Sequence, residues 1–409
     1  VLAYLFFRGL RSPGYRRRWS ERFGRIDNRP PPGGIWVHAV SMGEVHAASA
    51  LIDELKKEHP ERPLFITTFT PTGSERARAL YGDSVYHAYS PFDLPGALER
   101  FVSSVQPALA LILETEIWPN TFHGAAARGI PLMIVNARIS ERSLGRYRRL
   151  QRVVAPALRQ VRHIIAQSET DAHRLESIGA PAARITVSGN LKFDFRLPPG
   201  LIEEGESIRT AWGTQRRVLV AGSTHENEER IVLQSFAALR DAFPDILLVL
   251  VPRHPERFGR AVDAARAAGL SVARRSEVAA CPPDADCFVV DTMGELLRYY
   301  AAGDIAFVGG SLEPIGGHNV LEPAALARPV LVGPHTFNFA DITRQLIKAG
   351  AAIEVDDGAA LQDALTRLFK EPETRDRMGR TGLGLMKSGQ GAVDRTLALI
   401  QMELTAGVD

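Results

Sequence analysis

The chain has 409 residues, of which 45% are hydrophobic, 7% aromatic and 23% charged. This composition is typical of a folded globular protein, and the length predicts two domains. The 49 basic and 47 acidic side chains leave a formal net charge of +2, which gives no support for nucleic-acid binding by the whole protein. Two cysteines, in "CPPDADC" (281–287), indicate a reducing compartment and argue against a zinc site.

Residues 1–30 form a basic segment that we predict to lie next to a membrane. Seven apolar residues open it, and its first 29 residues carry eight arginines. Seven residues cannot cross a bilayer, which needs about 20, so we expect the front of a hydrophobic anchor to be missing. An apolar stub followed by arginines is typical of a cytoplasmic membrane-proximal segment; a solvated basic helix is the alternative.

The next part of the chain, residues 31–195, predicts an N-terminal domain built on a doubly wound parallel sheet. Apolar, β-branched runs alternate with helical stretches, which is the pattern of parallel βαβ units. The predicted strands are 35–40, 64–69, 108–113, 130–135 and 163–166. A run at 142–162 carries seven arginines and no acid, and indicates either a solvated helix face or a surface for anionic headgroups or an acidic substrate.

A proline- and glycine-containing stretch, residues 196–206, predicts a linker to a C-terminal domain, 207–409. We expect the last helix to pack back on the N-terminal domain. The predicted strands of the second domain are 217–221, 246–251, 287–290, 304–308 and 329–332. The fold class is therefore α/β, with two Rossmann-like doubly wound domains facing a central cleft, where ligands bind at the carboxyl ends of the strands.

The stretch "SMGEVH" (41–46) lies between a predicted strand and a predicted helix. Gly43 is interpreted as the turn residue that also lets a ligand approach, next to Ser41. Glu44 falls in the first turn of the helix, where the helix dipole would lower its pKa and keep it ionised. It is interpreted either as a helix-stabilising carboxylate or as a base.

Further candidates in the N-terminal domain follow the next strands. In "ETEIWPN" (114–120), Glu114 and Glu116 stand beside Trp118, a combination suited to holding a sugar by hydrogen bonds and stacking. The alternative places Glu116 at a helix start and Trp118 in the core. Arg138 ends the following strand and fits the same cleft. Lys192 lies where the first domain passes to the second, so it could reach either ligand.

In the C-terminal domain the candidates lie in loops after the strands. Arg253, fixed between prolines, is suited to clamping phosphate or carboxylate. Glycines at 309–310 and 316–317 allow close approach of an anion. Asn319 predicts an N-cap, with Glu322 either completing a capping box or binding ribose hydroxyls. A P-loop sequence and an early G-x-G-x-x-G are both missing, which disfavours ATPase and dehydrogenase functions.

Eight motifs in order give the chain a resemblance to a known family. They are "SMGEV", "ETEIWPN", "NARIS", "SGNLKFD", "GSTHENEE", "PRHPERF", "DTMGEL" and "GGHNVLEP", and they resemble the Kdo (3-deoxy-D-manno-octulosonic acid) transferases. The resemblance implies the GT-B fold, with Glu44 as general base and Glu114 and Lys192 supporting the transition state. It also implies binding of CMP by Pro252, Arg253, Met293, Gly294, Glu295, Asn319, Val320, Leu321 and Glu322.

The function implied by the resemblance is transfer of Kdo from CMP-Kdo to the lipid A precursor lipid IV(A), with inversion and without a metal or cofactor. We expect Ser41, Gly43, Glu116, Trp118 and Arg138 to bind the acceptor. The expected partners are the two substrates and an anionic membrane surface, at the cytoplasmic face of the inner membrane. The alternatives are another GT-B sugar-nucleotide enzyme, such as a lipid A disaccharide synthase or an epimerase, and a non-catalytic nucleotide-sugar-binding regulator.

Overall fold

The structure is a computed structural model that describes residues 13–406. It contains two compact units. Unit 1 takes the described residues up to Asp194 together with those from Gly389 onward, and unit 2 is Phe195–Ser388. The apolar stub of the predicted membrane-proximal segment lies outside the described residues.

Unit 1 is built on a parallel seven-stranded sheet of order β3-β2-β1-β4-β5-β6-β7. Its strands are β1 (Ile35–His38), β2 (Leu64–Thr68), β3 (Tyr86–Tyr89), β4 (Leu109–Leu113), β5 (Leu132–Ala137), β6 (His163–Ala166) and β7 (Ile185–Val187). Its helices are α1 (Trp19–Arg22), α2 (Met42–Ala47), α3 (Ser49–Glu58), α4 (Pro71–Tyr81), α5 (Pro95–Val105), α6 (Pro119–Ala126), α7 (Glu141–Arg149), α8 (Gln151–Leu158) and α9 (Glu169–Ser177).

The helices of unit 1 begin where the sequence supplies caps. The side chains of Ser41, Thr70, Ser140 and Ser168 each accept the backbone N–H three residues later, at the starts of α2, α4, α7 and α9. Such a cap satisfies a helix N–H that would otherwise have no partner. Each of these helices follows the carboxyl end of a strand, so the polar caps and first turns collect at one edge of the sheet.

Unit 2 repeats this architecture with the order β10-β11-β9-β8-β12-β13-β14. Its strands are β8 (Arg217–Thr224), β9 (Ile246–Pro252), β10 (Val272–Arg274), β11 (Cys287–Val289), β12 (Ile305–Val308), β13 (Val330–Val332) and β14 (Ala352–Glu354). Its helices are α10 (Leu201–Trp212), α11 (Glu226–Leu239), α12 (Phe258–Ala267), α13 (Leu296–Ala302), α14 (Leu321–Ala325), α15 (Ala340–Ala349), α16 (Gly358–Lys370) and α17 (Pro372–Gly389).

The last helix, α18 (Ala392–Ala406), belongs to unit 1. Its apolar side chains Val393, Leu397, Ile400 and Leu404 join the buried cluster under β1 and β4. Asp194 fixes the start of this helix, since its two carboxylate oxygens accept the N–H groups of Gly391 and Val393 at 2.6 and 2.7 Å. The C-terminal end of the chain thereby completes the core of unit 1.

The α/β fold class predicted from the sequence is confirmed, and all ten predicted strands are present. Four short strands were missed, namely β3, β7, β10 and β14. The predicted linker extends too far, because its second half forms the first turns of α10. Among residues 13–406, no helix is long and apolar enough to span a membrane.

Candidate active site

Glu44 lies at the carboxyl end of β1, in the first turn of α2, and its side chain is 8% exposed. One carboxylate oxygen accepts the backbone N–H of Val40 at 2.7 Å. The other accepts the hydroxyl of Ser41 at 3.1 Å, while that hydroxyl oxygen accepts the N–H of Glu44. The carboxylate is therefore held in one orientation by hydrogen bonds from the turn that precedes it.

The expectation that the helix dipole lowers the pKa of Glu44 is wrong. Burial raises the pKa of this carboxyl well above its usual value, and the charges of Glu114 and Glu116 raise it further; the hydrogen bonds from Val40 and Ser41 oppose these effects only partly. A surrounding of low polarity and like charge outweighs a dipole of about half an elementary charge. Since a catalytic base works best with a pKa near the working pH, the shift favours a base.

Glu114 and Glu116 follow β4 and form a carboxylate cluster with Glu44, since the charges of both raise the pKa of Glu44. Glu114 adopts a left-handed backbone conformation (φ 55°), which directs the chain out of the strand. The pKa of Glu116 is raised to about 7, chiefly by burial and further by the charge of Glu114. The indole of Trp118 and the charge of Arg146 oppose this increase. Trp118 is half-buried beside the cluster and stacks on Phe69, with ring centroids 6.4 Å apart.

Lys192 lies in a short 3₁₀ turn, Leu191–Asp194, which packs against α2 and α3. The buried side chain of Asn136 holds this turn, since its Oδ1 accepts the N–H of Leu191 at 3.0 Å. Lys192 also lies close enough to act electrostatically on His46, which is in the same helix as Glu44. Burial lowers the pKa of His46 to about 4, and the charges of Arg76 and Lys192 contribute to this shift. The structure thus brings together Glu44, Glu114 and Glu116, with Lys192 on the neighbouring turn.

Arg138 lies directly after β5, and its backbone is tied to the end of β4. The hydroxyl of Thr115 donates to the carbonyl of Arg138 and accepts its N–H. Tyr147, on the arginine-rich helix α7, donates its hydroxyl to the carbonyl of Thr115 at 3.0 Å. The basic helix therefore borders the carboxylate cluster, and Arg146 acts on Glu116 electrostatically.

The interpretation of Gly43 as the turn residue is wrong, because the turn is made by Ser41 and Gly43 lies inside α2. Its φ is not positive, and a Cβ placed there would meet only the Oγ of Ser41 at 3.8 Å. Nothing in the described residues requires glycine at this exposed position.

Gly43→Ala is therefore expected to raise the melting temperature, because alanine stabilises a helix by up to about 1 kcal/mol over glycine. At the same time the variant should raise KM for the acceptor if an acceptor group occupies the space next to Ser41. Thermal unfolding and steady-state kinetics measure the two effects. Unchanged kinetics in a stabilised variant would rule out close approach of the acceptor at Gly43.

Glu116→Gln is expected to stabilise the protein relative to wild type above about pH 4.5, by an amount that grows until about pH 7. Below about pH 4.5 both folded and unfolded wild type are protonated, whereas between 4.5 and 7 the unfolded carboxyl ionises and the folded one does not. Wild type therefore loses stability relative to the variant as the pH rises through this window. Chemical denaturation at pH 4 to 8 measures the difference; a constant difference would contradict the burial of this carboxyl.

In unit 2, the carboxyl end of β9 carries Pro252 and Arg253. Pro252 is buried at the end of the strand, whereas Arg253 is half-exposed just beyond it. The N–H of Arg253 donates to the carbonyl of Thr224, at the end of β8, at 3.0 Å. The backbone that carries the Arg253 guanidinium is thus fixed at the carboxyl ends of β8 and β9.

Met293, Gly294 and Glu295 form the loop before α13. Met293 is 58% exposed and Gly294 has a φ of 84°, so this backbone is accessible and needs glycine. The carboxylate of Glu295 is already paired, with Arg275 at 3.0 Å and Arg298 at 3.0 Å. Its side chain is thereby fixed inside the protein.

The capping box predicted for Asn319 and Glu322 is wrong. Helix α14 begins at Leu321, and Val320 is its N-cap. The side chain of Asn319 instead accepts the N–H of Leu321 at 3.1 Å and donates to the carboxylate of Glu322 at 3.1 Å. Asparagine readily makes such a contact with the N–H two residues on, in competition with the cap.

Five functional candidates were not identified from the sequence, although the stretches that contain them were recognised. Glu228 is fully buried and accepts the N–H of Gly310, in the loop of residues 309–317 that we call the glycine loop. His225 and His318 contact each other through their Nε2 atoms. In unit 1 the missed groups are Asn136 and His46. A histidine preceding a helix whose third residue is glutamate was the available signal for His225 and Glu228.

The fold of both units is that of the GT-B sugar-nucleotide enzymes. The UDP-GlcNAc 2-epimerase of Neisseria meningitidis, solved with UDP-GlcNAc bound, superimposes with a TM-score of 0.57 over 90% of this chain and 100% of its own, at 14% identity. At that identity the likeness concerns the fold alone. The fold class is therefore α/β with two Rossmann-like units, as in the GT-B fold.

Comparison with known sequences identifies the family within this class. Residues 17–195 match the family described as 3-Deoxy-D-manno-octulosonic-acid transferase (kdotransferase). The 3-deoxy-D-manno-octulosonic acid transferase of Haemophilus influenzae is 41% identical over 100% of this chain and 96% of its own; that of Bordetella pertussis is 39% identical over 93% and 90%. The chain belongs to the 3-deoxy-D-manno-octulosonic acid transferase family, as the resemblance indicated.

Proposed function

We propose that this glycosyltransferase moves a Kdo unit from CMP-Kdo to a hydroxyl of lipid IV(A), with inversion and without a metal ion, in lipopolysaccharide biosynthesis. The observation that carries the proposal is the carboxylate cluster formed by the buried Glu44 with the half-buried Glu114 and Glu116, near the Lys192 turn. Family membership across the whole chain supports the choice of sugar. The proposed acceptor-binding groups are Ser41, Gly43, Glu116, Trp118 and Arg138.

Glu44 is proposed to remove the proton of the acceptor hydroxyl. The hydrogen bonds from Val40 and Ser41 orient its carboxylate, and its raised pKa makes it a stronger base than an exposed glutamate. The acceptor oxygen then attacks the anomeric carbon of Kdo as the bond to the CMP phosphate breaks. One bond forms and one breaks, and the electron pair of the broken bond stays on the phosphate oxygen, so a single displacement with inversion results.

Glu114 and Lys192 are proposed to support the transition state. The negative charge of Glu114 suits the positive charge that develops on the sugar ring as the leaving group departs. The ammonium of Lys192 suits the sugar carboxylate or an acceptor phosphate, and it offsets the negative charge of the cluster. Two placements support these roles: Glu114 directly follows β4, and the turn that carries Lys192 is held by Asn136.

The donor nucleotide is proposed to bind unit 2 through Pro252, Arg253, the 293–295 loop and the 319–322 loop. Arg253 would receive the phosphate, because a guanidinium offers two parallel N–H donors to an anion. Contacts of the 293–295 loop come from Met293 and from the backbone, since the carboxylate of Glu295 is already paired. Asn319 and Glu322, joined by a hydrogen bond, offer donors and acceptors to ribose hydroxyls.

The enzyme is proposed to work at the cytoplasmic face of the inner membrane. All seven arginines of the 142–162 run are exposed, and within residues 13–406 only Arg162 forms an ion pair, with Glu403 at 3.3 Å. Leu150 and Val153, more than half exposed, lie among them. Unpaired guanidinium groups interleaved with apolar side chains suit the phosphates and acyl chains of lipid IV(A) in an anionic surface.

Replacing Arg149 and Arg152 together by glutamine is expected to raise KM for the acceptor on vesicles by roughly 30-fold and to leave the affinity for CMP unchanged. The physical reason is the loss of two unpaired positive charges from the basic surface, each worth about 1 kcal/mol near an anionic membrane. The matched control replaces Arg377 and Arg380, exposed arginines of unit 2, by glutamine. Equal kinetics of the two double variants on acceptor-loaded vesicles would refute the role of the run.

Nucleotide selectivity tests the proposed donor against the alternative GT-B enzymes. Calorimetry is expected to show binding of CMP to the full chain, with UDP at least tenfold weaker. Preference for UDP would favour a disaccharide synthase or epimerase activity instead. Consumption of CMP-Kdo in the presence of acceptor would exclude the alternative that the protein is a non-catalytic nucleotide-sugar-binding regulator.

A further inference from the structure

Two histidines of unit 2 face each other next to the proposed donor loops. His225 lies between β8 and α11, and His318 lies in the loop between β12 and α14. Their Nε2 atoms are 3.0 Å apart, and the two rings are parallel to within 5°. The ring of His254, the residue after Arg253, packs edge-on against His225 with centroids 5.5 Å apart. The pair therefore stands beside the proposed phosphate clamp.

A buried carboxylate fixes the backbone on both sides of the pair. Glu228 is fully buried, and its Oε2 accepts the N–H of His225 at 3.1 Å and that of Gly310 at 2.7 Å. Its Oε1 accepts the N–H groups of Ser311 and Leu312, both at 2.8 Å. The start of α11 and the loop after β12 are thereby tied to one side chain.

The loop that carries His318 is packed onto this scaffold. The N–H of His318 donates to the carbonyl of Gly309 at 3.1 Å. Gly310 has a φ of 69°, and a Cβ there would lie 2.9 Å from the ring of His318. Glycine is thus required for the ring to reach His225, and the two imidazoles have little freedom to separate.

The neighbouring groups allow the hydrogen of each ring to be assigned. The ring of His225 lies against the N–H of Glu228 in a capping-box arrangement, and its Nε2 is taken by the contact with His318, so we assign its Nδ1 as the acceptor. A neutral imidazole has one N–H, which in His225 must then be on Nε2 and must donate to Nε2 of His318. His318 accordingly carries its hydrogen on Nδ1.

Both rings are neutral near pH 7. Burial lowers the pKa of His318 to about 3, aided by the charges of His225, Arg253 and His254. Burial also lowers the pKa of His225; His254, Arg253 and Arg257 lower it further, and Glu313 opposes them. The pair therefore offers the Nδ1–H of His318 as a hydrogen-bond donor rather than a positive charge.

We infer that the Nδ1–H of His318 donates a hydrogen bond to the phosphate of the bound nucleotide and that His225 is a positioning residue which fixes the tautomer of His318. Within residues 13–406 this Nδ1 has no protein acceptor. The charge of Arg253 acts on His318, so an anion held by Arg253 lies within the field of both groups. The inference rests on the proposed binding of CMP to unit 2.

Calorimetry with the full chain tests the phosphate contact by comparing CMP, cytidine and inorganic phosphate. His318→Ala should weaken CMP binding about tenfold or more, which is the loss of one hydrogen bond to a charged group, and leave cytidine binding unchanged. His318→Asn should retain most of the affinity, because its amide N–H can replace the Nδ1–H. Binding of inorganic phosphate that falls in parallel with CMP in His318→Ala would support the same contact.

A second set of variants tests the role of His225. His225→Ala should lower CMP affinity when residue 318 is histidine, but not in the His318→Asn background, where no tautomer needs fixing. The ¹⁵N chemical shifts of His318 should report the Nδ1–H tautomer in wild type and a mixture in His225→Ala. A general disturbance of the loop would lower CMP affinity in both backgrounds.

Failure of the inference and failure of the donor proposal give different results. If wild type binds no CMP, the donor proposal and the inference both fail. If wild type binds CMP but His318→Ala weakens CMP and cytidine equally, or neither, the inference alone is overturned. An Nε2–H tautomer of His318 in wild type would also overturn it.

Discussion

Glu44→Gln is expected to lower the rate of Kdo transfer by about 10²- to 10⁴-fold, the usual contribution of a positioned base. The amide can still accept the N–H of Val40 through its oxygen and can donate to the hydroxyl of Ser41. The variant should therefore fold, and it should be at least as stable as wild type at neutral pH. The pKa of Glu44 is higher in the folded than in the unfolded protein. Wild type therefore loses stability as the pH rises above the pKa of the unfolded glutamate, whereas the glutamine variant does not.

The control for this variant is Glu58→Gln, an exposed carboxylate at the end of α3. Steady-state transfer rates, CMP affinity by calorimetry and thermal unfolding are compared for the two variants and wild type. A loss of transfer with unchanged CMP affinity supports the base. A tenfold or smaller loss in Glu44→Gln would contradict it and would leave the carboxylate as a structural cap of α2.

Glu228→Ala is expected to lower the free energy of unfolding by about 4 kcal/mol or more, since four backbone N–H groups lose a fully buried acceptor at about 1–3 kcal/mol each. The carboxylate accepts the N–H groups of His225, Gly310, Ser311 and Leu312. Water entering the space replaces some of these bonds, so the loss falls short of the full sum. Even a folded fraction should bind CMP weakly, because the glycine loop is no longer fixed.

The matched control is Glu226→Ala, in the first turn of the same helix and 63% exposed at its side chain. Its ion pair with Arg257, at 2.8 Å, has the Glu226 side exposed, and Arg257 keeps a second partner in Glu229, so the pair should contribute no more than about 1 kcal/mol. Urea denaturation of both variants measures the difference. Similar losses in the two variants would show that Glu228 does not organise the loop.

The fold was predictable because the central strands are long apolar runs, such as β4 and β9, separated by helical stretches. The strands that were missed are short, three or four residues each, and all lie at the edges of the two sheets: β3 and β7 in unit 1, β10 and β14 in unit 2. Tertiary pairing rather than local composition makes them strands. The linker prediction extended too far because proline and glycine at 198–200 also precede a helix start at Leu201.

The candidate residues were predictable from their motifs, but their electrostatics were not. The sequence places Glu44 at a helix start, whereas its pKa depends on Glu114 and Glu116, which are about 70 residues away along the chain. In the same way, the pairing of His225 with His318 depends on how Glu228 holds a distant glycine loop. Local sequence gives residue types, while burial and long-range contacts set their protonation.

Product analysis tests the central claim most directly. Incubation of the full chain with CMP-Kdo and lipid IV(A) in detergent or vesicles, followed by mass spectrometry of the lipid, should show mass additions equal to Kdo units and stoichiometric release of CMP. Glu44→Gln, examined in parallel, should leave the lipid unmodified. Unmodified lipid with wild type, or transfer of a sugar from a UDP-linked donor instead, would contradict the assignment.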